Sequence, residues 1–241
     1  MKPHWKTLIA AGAFAAAAIA LVFFTGCGSD PASPEPGTTD PAATANLALN
    51  VMAVPPAASG PAAAVTLSSA KVLLKHITFG DARSNDSADV KSGPYAVALD
   101  LAGGRTAVAA ARVRPGLYDR LRFRLHKPED AEPIPDPEFR EGESGNLRYS
   151  VIVRGTADGV PFVYKSRESA VQELQLPVPL AVGETGRATV TLLVDPNVWF
   201  VAGGRTLDPS SASDRVLIDE NIKRSFEAFK DDDGNGRPDD N

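Results

Sequence analysis

The stretch Arg120-Leu121-Arg122-Phe123-Arg124-Leu125 alternates a positively charged and an apolar side chain at every position. Successive side chains of a β-strand point to opposite faces of the sheet, so the arginines would share one face and the apolar residues the other. Strict alternation of this kind predicts a strand with one buried and one solvated face. We interpret the arginine row as a solvated sheet face; the alternative is a basic stripe that binds a partner.

The same period of two recurs on both sides of this strand. The clear segments are Leu47–Ala53, Val97–Leu101, Tyr149–Val153 and Ala188–Val194; the less regular ones are Val65–Ser68, Val72–Phe79, Thr106–Val113, Pro161–Lys165 and Ala170–Leu176. Many short strands joined by turns, without helical periods between them, are typical of sandwiches and barrels. The sequence therefore predicts a mainly β fold, an antiparallel β-sandwich with Greek-key-like connections.

One α-helix is predicted after the strands, over residues 208–230. Its apolar positions recur at the spacing of a single helical face: Ile218, Ile222, Phe226 and Phe229. Ser211 or Ser213 can cap its N-terminus. We expect the apolar face of this helix to dock on the sandwich.

Two long polar loops interrupt the predicted sheet, Gly80–Gly93 and Lys127–Asn146. The second carries seven acidic residues against Lys127 and Arg140, a net charge of −5. Loops of this length are uncommon unless they are functional or disordered. We interpret both as mobile loops without a special role.

Residues 1–26 have the layout of an export signal. Lys2, His4 and Lys6 precede the apolar, alanine-rich stretch Leu8–Phe24, and secretory signals likewise begin positively charged and continue with an apolar centre. The alternatives are an uncleaved transmembrane helix, for which the stretch is slightly short, and a signal that is cleaved without lipid attachment.

The tetrapeptide Phe24-Thr25-Gly26-Cys27 resembles the lipobox of bacterial lipoproteins, and Cys27 is the only cysteine of the chain. The resemblance implies that Cys27 becomes the mature N-terminus and carries three acyl chains, palmitate among them. Several chains anchor a protein stably, whereas one does not. Gly28 rather than Asp follows the cysteine, which by resemblance to enterobacterial sorting favours the outer membrane. We expect a protein anchored by lipid in the bacterial cell envelope.

The charge balance excludes one class of partner. The chain has 25 Lys+Arg and 30 Asp+Glu, and removal of residues 1–26 takes away Lys2 and Lys6, leaving 23 against 30, a net charge of −7. Nucleic acids require basic patches, so no nucleic-acid partner is expected. The single cysteine also rules out a disulfide framework, so the domain has to fold on an ordinary core.

These features divide the chain into five parts. They are a signal peptide (1–26), the lipidated cysteine with a disordered Pro/Ser/Thr/Ala linker (27–45), a β-sandwich domain (46–207), the helix (208–230) and an acidic tail (231–241).

The tail is the candidate metal site. Its sequence, DDDGNGRPD over residues 231–239, places oxygen-bearing side chains at alternate positions and a glycine where a calcium loop turns sharply. The predicted ligands are the side chains of Asp231, Asp233, Asn235 and Asp239, the last directly or through water, and the backbone carbonyl of Arg237. The predicted cofactor is a weakly bound Ca²⁺.

The tail resembles the acidic calcium repeats of the thrombospondin type 3 kind and the first nine positions of an EF-hand loop. It departs from the EF-hand in lacking the bidentate glutamate at the twelfth position and the exit helix, and Pro238 lacks a backbone N–H. A single truncated loop is expected to bind calcium only in the range of extracellular modules, about 10⁻⁴–10⁻³ M. The alternative is a frayed acidic tail that only aids solubility.

No catalytic constellation is predicted. His76 and His126 are the histidines outside the signal, and neither belongs to a nucleophile or zinc motif. Both are interpreted as structural. Trp199-Phe200 could offer an aromatic platform to a sugar, but we favour core packing for both residues.

Three short motifs carry a further resemblance: Leu99-Asp100-Leu101, the turn and strand over residues 115–122, and Trp199-Phe200. Together they resemble a family of uncharacterised bacterial lipoproteins with a β-sandwich domain, over residues 46–205. The resemblance implies a fold and a location, and no activity.

The leading functional hypothesis is a non-enzymatic envelope lipoprotein whose sandwich binds a protein or polysaccharide partner, with calcium as a candidate cofactor. The alternatives are a scaffold that helps to assemble an envelope complex and, with less support, a hydrolase.

Overall fold

A computed structural model describes residues 44–56, 65–141, 144 and 147–239 of the chain. These residues fall within one unit, Thr39–Asn241. The predicted signal peptide, Cys27 and most of the predicted linker lie outside the described residues. Among the residues that are described, no helix is both long and apolar enough to span a membrane.

The described chain is mainly β, with a single α-helix near the C-terminus, which confirms the predicted fold class. The elements are β1 (Leu47–Ala53), β2 (Val65–Asp81), β3 (Ser87–Lys91), β4 (Tyr95–Ala98), β5 (Arg105–Ala111), β6 (Gly116–Leu125), β7 (Val151–Ala157), β8 (Val160–Ser166), β9 (Ala170–Val182), β10 (Ala188–Val194), β11 (Val201–Ala202), β12 (Arg205–Thr206), α1 (Ala212–Arg224) and β13 (Phe226–Lys230).

Two sheets contribute to one main core. The large sheet has the order β8-β7-β2-β6-β9, with β3 and β4 also paired to β2, and the small sheet has the order β13-β10-β1-β5. Their ladders are antiparallel except that β1 and β10 are parallel, a departure from the wholly antiparallel prediction. A parallel pair requires a crossover between its strands, and here the chain forms the large sheet between β1 and β10.

The alternation in β6 is confirmed. Leu121, Phe123 and Leu125 are buried in the main core, whereas Arg122 and Arg124 are exposed on the other face. Trp199 and Phe200 are also buried, which agrees with core packing and leaves neither ring as a sugar platform. The Phe200 ring meets the rings of Phe162 and Tyr164 edge to face.

Strand β2 is one continuous strand where the sequence pattern predicts two, Val65–Ser68 and Val72–Phe79, and a bulge within the second of these changes its phase. Val72 and Leu74 face the core before the bulge, and Ile77 and Phe79 face it afterwards. Core-facing positions are thus three residues apart between 74 and 77, where regular alternation would make them two apart. His76, with a positive φ of 53°, lies in this interval, at the register shift between β2 and β6. A bulge adds one residue to a strand and so reverses which side chains face the core.

The predicted helix over 208–230 is confirmed over Ala212–Arg224 and is wrong beyond Arg224. The helix begins after Ser211, which caps it as predicted, and ends at Arg224. There, the backbone N–H and the hydroxyl of Ser225 donate to the Ile222 carbonyl, at 3.3 and 2.8 Å. Residues 226–230 then form β13 on the edge of β10. Phe226 and Phe229 happen to continue the helical spacing of Ile218 and Ile222. They are nevertheless extended, because their backbone pairs with β10.

Both long loops are more ordered than predicted. The first contains β3, which folds back on β2. From the second, we define the acidic strap as residues 127–141. It contains a short 3₁₀ helix, Pro137–Arg140, and its Phe139 is fully buried in a second core on the outer face of the large sheet. The other buried members of this second core are Leu73, Tyr149 and Ile152.

Candidate metal centre

The candidate site is the C-terminal loop, residues 231–239, which follows β13. Asp231 at its start is fully buried. Its backbone N–H donates to the Thr189 carbonyl at 2.9 Å, and its Oδ2 accepts from the hydroxyl of Thr191 at 2.6 Å. Thr189 and Thr191 belong to β10, so the small sheet holds the first residue of the loop in place.

Side-chain oxygens at alternate positions curl the rest of the loop. Asp233 Oδ1 accepts from the Asn235 N–H at 2.9 Å, and Asn235 Oδ1 accepts from the Arg237 N–H at 2.7 Å. Asp231 Oδ1 accepts from the Gly236 N–H at 3.2 Å. Each of these hydrogen bonds joins residues two to five positions apart. Together they bend the backbone into a tight loop around the side chains of Asp231, Asp233 and Asn235.

Gly236 lies at the sharp turn of this loop, close to Met52. Its φ of +76° lies in the left-handed region, which side-chain-bearing residues rarely adopt. A Cβ at this position would also lie 2.8 Å from the Met52 sulfur of β1. The backbone conformation therefore favours glycine at the sixth position of the predicted calcium loop, and a Cβ there would also require the end of the Met52 side chain to shift.

Three carboxylates converge in this loop. One oxygen from each of Asp231, Asp233 and Asp239 lies within 4.8 Å of the others, so the group could hold a metal ion. Asp231 is buried, Asp233 is exposed and Asp239 lies between these extremes. The convergence of these three predicted ligands is thus present in the folded chain.

Two cations lie at the edge of this cluster. Arg105 Nη1 is 3.9 Å from Asp231 Oδ2, and Lys230 Nζ is 3.7 Å from Asp239 Oδ2. The Arg105 side chain is 40% exposed, and long, partly exposed pairs contribute little to stability. The negative charge of the three carboxylates is therefore only partly balanced by the protein.

The other two predicted ligands differ from the carboxylates. Asn235 lies in the loop, but its amide Nδ2 donates to Asp233 Oδ2 at 2.7 Å and its Oδ1 is engaged with the backbone. The Arg237 carbonyl as a ligand stays a prediction. Sequence reasoning missed Asp232, whose Oδ1 accepts from the Thr189 N–H at 2.7 Å and ties the loop to β10. No sequence spacing signals that contact, because it depends on the β10–β13 pairing.

A second polar site surrounds His126. The His126 Nε2 and the Glu132 Oε2 are 2.5 Å apart, and Lys75 Nζ lies 2.6 Å from Glu132 Oε1. Burial alone would raise the pKa of Glu132, but hydrogen bonds from His126 and Lys75 hold it at about 2. Burial lowers the pKa of His126, while its bond to Glu132 opposes that shift. The imidazole thus bonds the acidic strap to the end of β6, and a purely structural role for it stays a prediction.

A cavity of about 370 Å³ lies beside His126. Its walls include the first residues of the acidic strap and the end of β6: Arg124, His126, Lys127, Pro128, Glu129, Asp130 and Ser169.

A buried carboxylate fastens helix α1 to β8. Asp219 Oδ1 accepts from the hydroxyls of Tyr164 and Ser166, each at 2.7 Å. Burial raises the pKa of Asp219, although both hydrogen bonds act in the opposite direction. Burial and the neighbouring carboxylate also raise the pKa of Tyr164. This network has the buried, fully paired character of a structural contact.

Comparisons with known proteins add little to this geometry. No protein-family model matches the chain. No curated protein matches it either. Among solved structures, the chain is similar to MbnP from Methylosinus trichosporium, with 13% sequence identity and a TM-score of 0.37, over 68% of this chain and 80% of that one. Similarity at this level assigns neither a family nor an activity.

Proposed function

We propose that the chain is a non-enzymatic lipoprotein of the bacterial cell envelope, whose β domain binds a protein or polysaccharide partner and holds calcium in its C-terminal loop. The lipobox-like sequence ending at Cys27 supports the location. The mainly β domain supports a binding role, since strand surfaces and their loops commonly carry recognition sites. The non-enzymatic part rests on the sequence, in which neither His76 nor His126 belongs to a nucleophile or zinc motif.

The observation that carries the calcium part is the convergence of Asp231, Asp233 and Asp239 within 4.8 Å. Three carboxylates so close repel one another, and a divalent cation between them relieves that repulsion. Asp231 is fixed by burial and by Thr191, so one ligand needs no reorganisation.

The donor set favours calcium over softer metals. All members of the cluster offer oxygen, and hard cations such as Ca²⁺ prefer carboxylate, carbonyl and water oxygens. Calcium takes six to eight oxygens, so backbone carbonyls and water would have to complete the shell. The small number of carboxylates is consistent with a Kd of about 10⁻⁴–10⁻³ M.

Isothermal titration calorimetry tests this proposal on the full-length chain in non-ionic detergent. We expect CaCl₂ to give a saturable binding heat with the wild type. The double variant Asp233→Asn/Asp239→Asn should lose it, because two of three negative ligands become neutral. Asp86→Asn/Asp89→Asn removes the same charge from two exposed positions in and beside β3 and is the matched control. Equal heats in the double variant and the control would overturn the calcium site.

A further inference from the structure

The outer face of the large sheet is strongly basic. Cross-strand register places seven cations on it, running from β8 to β6: Lys165, Arg154, Lys71, Lys75, Arg124, Arg122 and Arg120. On β9, the exposed Glu173 lies opposite Arg122. The remainder of the chain is acidic overall, so this concentration of positive charge is local.

The acidic strap covers four of these cations. Lys71 Nζ donates to Asp136 Oδ2 at 2.7 Å and to Glu138 Oε2 at 2.9 Å. Glu138 also accepts from Arg154. The other two contacts are Lys75 with Glu132, at 2.6 Å, and Lys165 with Glu141, at 3.4 Å. The face therefore already binds an acidic peptide segment, which happens to belong to the same chain.

The three arginines of β6 form no ion pair with the acidic strap, residues 127–141. Arg120 is engaged, since its guanidinium donates to Asp119 and to the Asp81 carbonyl, at 3.0 and 2.9 Å. Arg122 and Arg124 are exposed, and neither forms an ion pair with any acid in the described ranges. Arg124 also lines the 370 Å³ cavity at the start of the strap.

We propose that Arg122 and Arg124 bind an acidic peptide segment of a partner protein. Alternate residues of a strand are about 6.5–7 Å apart, the spacing at which an extended peptide presents carboxylates on one side. Each guanidinium can hold a carboxylate with two parallel hydrogen bonds. An acidic polysaccharide shares the charge but not this spacing. The inference rests on the proposed function, which leaves the partner open, and it names the chemistry of that partner.

The test uses a fluorescein-labelled peptide of sequence ESESES and the full-length chain in non-ionic detergent, without calcium, so that a failed metal site does not affect it. We expect saturable binding by fluorescence anisotropy, weaker at high ionic strength because salt screens exposed charges. Arg122→Gln/Arg124→Gln should weaken binding by at least about tenfold, or about 1.4 kcal/mol. The single variant Arg122→Gln should weaken it by a smaller factor.

The matched control is Arg112→Gln/Arg224→Gln, which removes the same charge from side chains that are 56% and 77% exposed on other surfaces. It should change binding by less than about twofold. Equal weakening by both double variants would show attraction by net charge and overturn the proposal. Failure of the wild type to bind the peptide would do the same. Binding of oligogalacturonate that depends on Arg122 and Arg124, without peptide binding, would replace it with a polysaccharide site.

Discussion

The indole Nε1 of Trp199 donates a hydrogen bond to the hydroxyl of Ser225, at 2.7 Å, inside the core. Ser225 caps the C-terminal end of α1, which ends at Arg224, and β13 begins at the next residue, Phe226. The same hydroxyl donates to the Ile222 carbonyl, so one small side chain satisfies a buried indole and closes the helix. The position of the last strand thus depends on a residue that the sequence pattern does not mark.

Ser225→Ala should destabilise the domain by about 1–3 kcal/mol, because it leaves the buried Trp199 N–H without an acceptor. Chemical denaturation monitored by tryptophan fluorescence measures the change. Ser87→Ala, at an exposed position of β3, is the control and should stay within about 0.5 kcal/mol of wild type. An unchanged Ser225→Ala midpoint would contradict the role of this bond.

Phe139→Ala should destabilise the domain by about 3–5 kcal/mol, the usual range for removing a buried aromatic side chain. Its larger consequence is local, because Phe139 is the buried apolar anchor of the acidic strap. Within the β domain, we expect limited proteolysis to cut the variant within residues 127–141 before any other segment. Leu147→Ala, at a residue 49% exposed, should leave the cleavage pattern of wild type.

Protonation of Glu132 should lower the unfolding free energy of the domain at acidic pH. Its pKa is about 2 in the folded chain against an ordinary value of 4.5. A lowered folded-state pKa contributes stability that is present above the ordinary value and is lost as pH falls toward the folded value. The control is Glu227→Gln, at an exposed position of β13. Unfolding free energies measured between about pH 5 and pH 2 should therefore fall less steeply in Glu132→Gln than in this control, by on the order of 2 kcal/mol over the window. Parallel curves would contradict the assignment.

Gly236→Ala should both destabilise the chain and abolish calcium heats. The substitution forces a Cβ into a left-handed backbone position, at a cost of about 1–2 kcal/mol, and into contact with the Met52 sulfur. Gly93→Ala is the control, since a Cβ there meets nothing within 4 Å. Wild-type calcium binding by Gly236→Ala would show that the loop does not need its turn.

Lipid attachment at Cys27 remains a prediction from the sequence. Mass spectrometry of the membrane-extracted protein should show a mature N-terminus at Cys27 with the added mass of acyl chains. Cys27→Ala should leave the protein without that mass and release it from the membrane fraction. A Cys27→Ala protein that stays equally membrane-bound would exclude the lipid anchor.

The sequence predicts this fold wherever local pattern and long-range pairing agree. The alternation in β6 is local, and the cap at Ser211 is a property of one turn. The predicted helix fails after Arg224 because an open edge of β10 outweighs the helical spacing of Phe226 and Phe229.

The C-terminal loop could be predicted from the sequence, and the order of the acidic strap could not. The acids of the C-terminal loop are neighbours in the chain, so their spacing predicts their convergence. The acidic strap could not be predicted to be ordered, since its anchors are remote; Lys71 and Asp136 are 65 positions apart. Its order depends on a second core that forms only when β2 and β7 are paired.

The pairing of β1 has a mechanical consequence. β1 is the first strand among the described residues. It is bonded along one edge to β10, from Leu47 with Ala188 to Ala53 with Val194, and along the other edge to β5. A force applied to the chain ahead of Leu47 enters the domain through this strand. Extraction of β1 requires the rupture of two ladders together, whereas an edge strand would peel away from one. In a domain tethered by its N-terminus, the strand that receives the pulling force would thus be held by hydrogen bonds on both of its edges.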